Sequence, residues 1–207
     1  MTGCTTPLEF ATLYKCNAAH APPCMPDEFI QLATIGHSNR SPEDFLELLA
    51  AAAVRQVIDI RSLPRSKRYP CYNREALAAT LFHHGIGYHW LGRRLGGLRK
   101  ATADSPHAGL ATEFRGFAEH MATPAFREGI EALAQMARRQ PTAIMCAERD
   151  PQHCHRSLIA DHLAAHQWQV RHWLDARRHF AHRPHHTLRW VDGKPVYDRL
   201  SQQPLCF

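Results

Sequence analysis

Ser41-Pro42-Glu43-Asp44-Phe45-Leu46-Glu47-Leu48-Leu49-Ala50-Ala51-Ala52-Ala53-Val54-Arg55-Gln56-Val57-Ile58-Asp59-Ile60 changes its hydrophobic period part-way, and that change sets the fold class. The first half starts as a helix. Ser41 is the N-cap, Pro42 takes the first helical position, and Glu43 and Asp44 lie where acids complement the positive end of the helix dipole. Phe45, Leu48, Leu49, Ala52 and Ala53 then recur at helical spacing as one apolar stripe. Val54 to Ile60 abandons that spacing for a short apolar run and reads as a strand.

Working outward, the same alternation continues in both directions. Phe29 to Ile35 is a strand upstream. Downstream, Asn73 caps a helix through about His84 with Leu77, Leu81 and Phe82 inward, and Ile86 to Leu91 is a third strand. Leu95-Gly96-Gly97 breaks the pattern. Helices follow around Phe114 to Met121 and from Pro124 to Arg139, then a strand at Thr142 to Cys146, a helix at Cys154 to His166 and a fifth strand at Gln169 to Leu174. Strands alternating with helices imply βαβ units, hence an α/β fold with a mostly parallel five-stranded sheet covered on both faces. Residues 28–175 form this domain, preceded by an irregular extension at 1–27 and followed at 176–207 by a basic, His-rich appendage packed on it. Within the appendage, Asp192-Gly193-Lys194 between two short apolar runs reads as a hairpin turn.

Composition narrows the function classes. The 207 residues are 44% hydrophobic and 21% charged, ordinary for one globular domain. Seven cysteines, an odd number irregularly spaced, do not make a secreted disulfide framework. No segment reads as a signal peptide or a membrane span, so a cytoplasmic protein with reduced thiols and no membrane partner is expected. The net charge of +6 is concentrated: ten Lys and Arg lie between Arg55 and Lys100 against two acids, Asp59 and Glu75. Such a segment suits either an anionic partner or a solvated basic face.

In an open parallel sheet, ligands bind beyond the carboxyl ends of the strands. The polar residues collect there: Gly36-His37-Ser38-Asn39-Arg40 after the first strand, Asp59-Ile60-Arg61-Ser62 with Pro64-Arg65-Ser66 after the second, and Cys146-Ala147-Glu148 with Cys154-His155-Arg156 after the fourth. Arg61, Arg65 and Arg156 are candidate phosphate ligands, although one of them pairing with Asp59 or Glu148 is an equally physical use. His37, Ser38, Asn39, Arg40, Ser62 and Ser66 are further candidates for substrate binding. Asp59 can act as a general base, orient a histidine or bond loop amides. Cys146 is a nucleophile or a small buried hydrophobe. Glu148 transfers protons or closes an ion pair, and His155 is a candidate general acid with His37 as a second.

Spacing excludes several named chemistries. Six residues after Cys146 stands Gln152 and five after stands Pro151, so neither the cysteine phosphatase nor the sulfurtransferase loop has its arginine. From Cys154 the corresponding residues are Ala160 and Ile159. The zinc deaminase pattern, G-x-G-x-x-G, the Walker loop and G-x-S-x-G are absent. Cys4, Cys16, Cys24 and His20 lack a paired C-x2-C knuckle. Cys154 and His155, read as neighbours on one helix, project apart. These spacings single out no metal ligand set, and they leave the use of a metal or cofactor open.

The segments Thr34-Ile35-Gly36-His37-Ser38-Asn39-Arg40, Asp59 to Ser66, Leu95-Gly96-Gly97, Met145-Cys146-Ala147-Glu148 and Cys154-His155-Arg156, between about Leu32 and His172, resemble the domain of unknown function 488 family. The resemblance implies a Rossmann-like three-layer fold of bacterial cytosolic proteins with these motifs around one pocket, and no reaction. The chain departs from the pattern in its Gly92-Arg93-Arg94 preceding the glycine pair and in its Cys-bearing N-terminal extension. Three functions fit the residues. The first is an enzyme on a phosphate-bearing substrate, a nucleotide or nucleic acid, with Asp59, Glu148 and His155 in proton transfer and Cys146 as nucleophile or wall. The second is a noncatalytic nucleic-acid-binding protein using the 61–100 region with Tyr69, Tyr72 and Trp90 as stacking platforms. The third is a thiol redox protein using Cys146 and Cys154.

Overall fold

In the computed structural model, which describes residues 30–198, helix α1 (Pro42–Ala51) begins where its signals put it. The Ser41 hydroxyl accepts from the Asp44 amide at 3.1 Å, and Phe45, Leu48 and Leu49 are buried. The chain then turns through Ala53, at φ 52°, into strand β2 (Gln56–Asp59), whose four residues are all buried. Strands β1 (Gln31–Gly36), β3 (Gly87–Trp90), β4 (Thr142–Cys146) and β5 (Gln169–Trp173) join it in parallel register.

The apolar strands are continuous runs because both faces are covered. Ile144, Cys146 and Ile58 pack on one side with α4 (Thr112–His120), α5 (Pro124–Ala137) and α6 (Arg156–Ala165). Ala143, Met145 and Val57 pack on the other with α1 and α2 (Arg74–His83). Alternate residues of one strand therefore feed separate cores. Leu81 fills the second core, whereas Phe82, expected inward, is 79% exposed. Adjacent helical residues point about 100° apart, and this narrow helix buries only one of the two.

With β6 (His179–Ala181) the sheet order is β3-β2-β4-β1-β5-β6, a Rossmann-like arrangement with one strand more than the five expected. The addition, β6, runs antiparallel to β5, and its three residues are all exposed, so it carries no buried pattern to read. A one-turn helix, α3 (Gly92–Leu95), precedes the glycine pair. The appendage ends in the hairpin β7 (Leu188–Val191) and β8 (Lys194–Tyr197), turned through Asp192 and Gly193 at φ 49° and 71° as a type I′ turn requires. Tyr197 is fully buried, its hydroxyl donating to Asp161 of α6 at 2.9 Å. Among the described residues no helix is long and apolar enough to cross a membrane. The extension at 1–27, with Cys4, Cys16, Cys24 and His20, lies outside the described residues.

Neighbouring strands β1 and β4 send their connections to opposite sides of the sheet, β1 through α1 to β2 and β4 through α6 to β5. That divergence opens a crevice at their carboxyl ends.

Candidate functional site

The crevice is built first by a close backbone approach. His37 and Ser38 continue the β1 ladder by donating to the Cys146 and Ala147 carbonyls at 3.0 and 2.8 Å. Gly36 lies so near the Glu148 carbonyl that a Cβ there would collide with it, so only glycine lets the two loops meet. Arg40 is spent on this framework, its guanidinium bonding the carbonyls of Gly36 and Leu174.

The loop after β2 is locked by an ion pair. Asp59 is wholly buried, and its carboxylate accepts from the backbone amide of Arg61 at 3.0 Å, from the Arg61 guanidinium at 2.6 to 3.1 Å, and from the Tyr88 hydroxyl at 2.8 Å. Asp59 therefore orients Arg61 and has no face toward a ligand. Arg61 also donates to the Tyr72 carbonyl at 2.8 Å and reaches His37 Nε2 at 3.2 Å. His37 stacks on Tyr72 with centroids 4.1 Å apart and bonds the Ser38 carbonyl through Nδ1 at 2.9 Å. The donor is thus Nδ1–H, and Nε2 accepts from Arg61. Burial, with the Arg61 charge adding to it, lowers the His37 pKa to about 4, so at neutral pH the ring is an uncharged acceptor rather than an acid.

After β4 the chain makes a 3-10 turn, Pro151–His153, capped by Asp150, before α6 starts at Arg156. This corrects the expectation that Cys154 and His155 sit on one helix and diverge. Cys154 is extended, with φ −147° and ψ 138°, and only the next residue turns into helical geometry. As a result Cys146 Sγ and Cys154 Sγ each lie 3.8 Å from His155 Nδ1. Gly97 presses on the His155 ring, where a Cβ would stand 2.5 Å from Cγ and Nδ1, and Phe117 packs edge to face with its centroid 4.9 Å away.

The two thiols ionise unequally. Burial opposes ionisation of Cys154, but the Cys146 thiol, His155 and the Arg156 charge outweigh it and hold its pKa well below the ordinary thiol value. Cys146, whose S–H donates to the Cys154 sulfur and which is buried, is pushed well above that value. Arg156 is only 1% exposed and donates to the Glu148 and Arg149 carbonyls at 2.5 and 2.6 Å. It closes the loop after β4 and acts on the pocket through the sulfurs.

These segments enclose a cavity of about 690 Å³, of the size that holds a small ligand. His37, Ser38, Asn39, Arg61, Ser62, Arg65, Ser66, Cys146, Glu148 and His155 all line it. Asp59, Arg40 and Arg156 do not; each stands behind the wall, bonded to the loops that form it. The cavity also takes in Arg68, Leu63, Leu98, Glu113, Phe114 and His153, which the sequence reading did not single out as site residues. Arg68 belonged to the basic run, while Glu113 and Phe114 come from the start of α4, far along the chain and unmarked by any local motif. Of the three aromatic platforms, Tyr69 lines the cavity. Tyr72 is buried beneath His37, and Trp90 is occupied by Arg74 and Arg93 on its ring and by the Arg61 carbonyl at Nε1.

A family model described as Domain of unknown function DUF488 matches residues 41–163. The chain belongs to the DUF488 family. That span contains the Asp59 to Ser66 loop, the glycine pair, Cys146 to Glu148 and Cys154 to Arg156, so the greater part of the cavity wall is DUF488 sequence. No curated protein and no solved structure matches the chain. The DUF488 domain thus brings an architecture and a set of pocket residues, and the chemistry has to be argued from the pocket.

Proposed function

We propose that the chain is an enzyme acting on a phosphate-bearing substrate, a nucleotide or the end of a nucleic acid strand. The observation that supports this best is one cavity lined at once by guanidinium groups, a carboxylate and a thiol–imidazole cluster. A surface that only binds anions does not need the last two. Arg65 and Arg68 are exposed and free of the ion pair that fixes Arg61, so they can close on a phosphate, with Ser62 and Ser66 as hydroxyl donors. Leu63, Leu98, Phe114 and Tyr69 supply an apolar wall of the kind that accommodates a flat base. Glu148 is exposed at the mouth, placed to exchange a proton with the bound substrate. A bacterial cytoplasm, where thiols stay reduced, suits this reading.

Calorimetric titration with inorganic phosphate, nucleoside monophosphates and short oligonucleotides tests it. Arg65→Ala and Arg68→Ala should each weaken binding roughly tenfold, the loss of about one charge-assisted hydrogen bond. Glu148→Gln should leave binding intact and remove turnover of whichever probe is converted. Binding that is indifferent to both arginines would overturn the proposal.

A further inference from the structure

The cluster at the floor of the cavity has a ligand chemistry of its own. Cys146 Sγ, Cys154 Sγ and His155 Nδ1 all lie within 4.8 Å of one another, and among the described residues they are the group able to hold a metal ion. Tetrahedral zinc has bonds of about 2.3 Å to sulfur and about 2.0 to 2.1 Å to nitrogen, which places two sulfurs about 3.8 Å apart and a sulfur and a nitrogen about 3.6 Å apart. The observed sulfur–nitrogen separations are both 3.8 Å, already close to the edges of that tetrahedron.

The positions are held by the fold. Cys146 ends a central strand, the 3-10 turn presents Cys154, and the His155 ring is confined between Gly97 and Phe117. A second observation marks an unmet need at the same place. His155 is 7% exposed, and the Nδ1 that faces the two cysteines has only their weakly polar sulfurs as partners. A buried imidazole so poorly matched is costly unless something stronger than a thiol meets it.

We infer that Cys146, Cys154 and His155 form a zinc site of the three-ligand, open kind, whose fourth position faces the cavity. All three side chains line that cavity, so water or a substrate oxygen can complete the coordination. Two thiolates and a neutral imidazole balance the charge of the ion and favour zinc over hard cations such as magnesium. Glu148, two residues beyond Cys146, lines the same cavity. The site does not depend on the phosphate reading, because metal binding is measured without any substrate.

The test uses the reduced 207-residue chain in which Cys4, Cys16, Cys24, Cys71 and Cys206 are changed to Ser, leaving Cys146 and Cys154. Titration with cobalt(II) should give one equivalent of a tetrahedral visible spectrum with thiolate charge-transfer bands, displaced by one equivalent of zinc. Cys154→Ser should weaken zinc binding by more than the roughly 10- to 100-fold that loss of an outer partner costs. X-ray absorption of the zinc-loaded protein, which needs no further variant, should show two sulfur and two lighter neighbours. Absence of a tetrahedral cobalt spectrum, a shell without sulfur, or unchanged affinity in Cys154→Ser would each overturn the site.

Discussion

Two histidine clusters, one at the N-terminus of α6 and one around Asp161 on that helix, differ in how completely their polar atoms are matched. Asp161 accepts from His182 Nε2 and the His185 amide at 2.8 and 2.9 Å, and from the Tyr197 hydroxyl at 2.9 Å. His182 Nδ1 meets His172 Nε2 at 2.9 Å, and His172 Nδ1 meets the Thr34 hydroxyl at 2.6 Å. One direction of donation, from Thr34 through His172 and His182 to Asp161, satisfies the whole chain with neutral rings. At the start of the same helix, His155 has an orphaned nitrogen and two sulfurs. None of the Asp161 cluster lines the cavity, and every member of the thiol cluster does. Saturated polar groups hold the appendage to the domain, whereas the thiol cluster borders the cavity with an imidazole whose Nδ1 meets only sulfur.

If that distinction is correct, the largest stability loss comes from the saturated cluster. Asp161→Ala strips a buried carboxylate from three donors and should cost about 3 to 5 kcal/mol by urea unfolding. Zinc affinity should be preserved in the fraction that remains folded. Gly97→Ala attacks the other cluster, driving a methyl into the His155 ring, and should cost less, about 1 to 3 kcal/mol. It should also change the alkylation rates of Cys146 and Cys154, since their contact with the imidazole opens. Equal losses in the two variants would erase the contrast, making the thiol cluster as much a part of the fold as the Asp161 network.

The same contrast explains what could be read from sequence. Hydrophobic period and capping placed α1 and the five parallel strands, because each is decided by residues within one turn or one strand of each other. Strand β6 leaves no periodic signal because His179, Phe180 and Ala181 are all exposed and its existence depends on pairing with β5. The strand-end rule gathered most of the cavity residues from distant segments. It could not separate Arg61, committed to Asp59, from exposed Arg65, since both follow the same strand by a few residues. Local propensity starts the helix at Cys154, two residues early, and so makes Cys154 and His155 diverge; a boundary shift of that size is below what it resolves. Glu113 and Phe114 reach the cavity only through tertiary packing.

Acid pH offers the gentlest way to compare the two regions. Burial, reinforced by Arg61, lowers the His37 pKa to about 4, while burial, reinforced by His182, lowers that of His172 to about 3. Both are below the unfolded value of 6.5. Above that value neither state binds the proton, and the stability is present in full. As pH falls from there toward the folded values, the unfolded chain takes up a proton that the folded chain refuses, so stability is lost. Each ring should contribute a loss of about 1 kcal/mol or less by about pH 6. His172→Gln should flatten the acid limb of the unfolding curve through the saturated cluster and leave phosphate binding at neutral pH unchanged. His37→Leu should flatten the limb to a similar extent and also weaken that binding, because Arg61 loses the acceptor that helps hold its guanidinium at the cavity wall. An acid limb unaltered by both substitutions would mean that these rings admit protons in the folded state, and the neutral relay inferred for the Asp161 cluster would then be wrong.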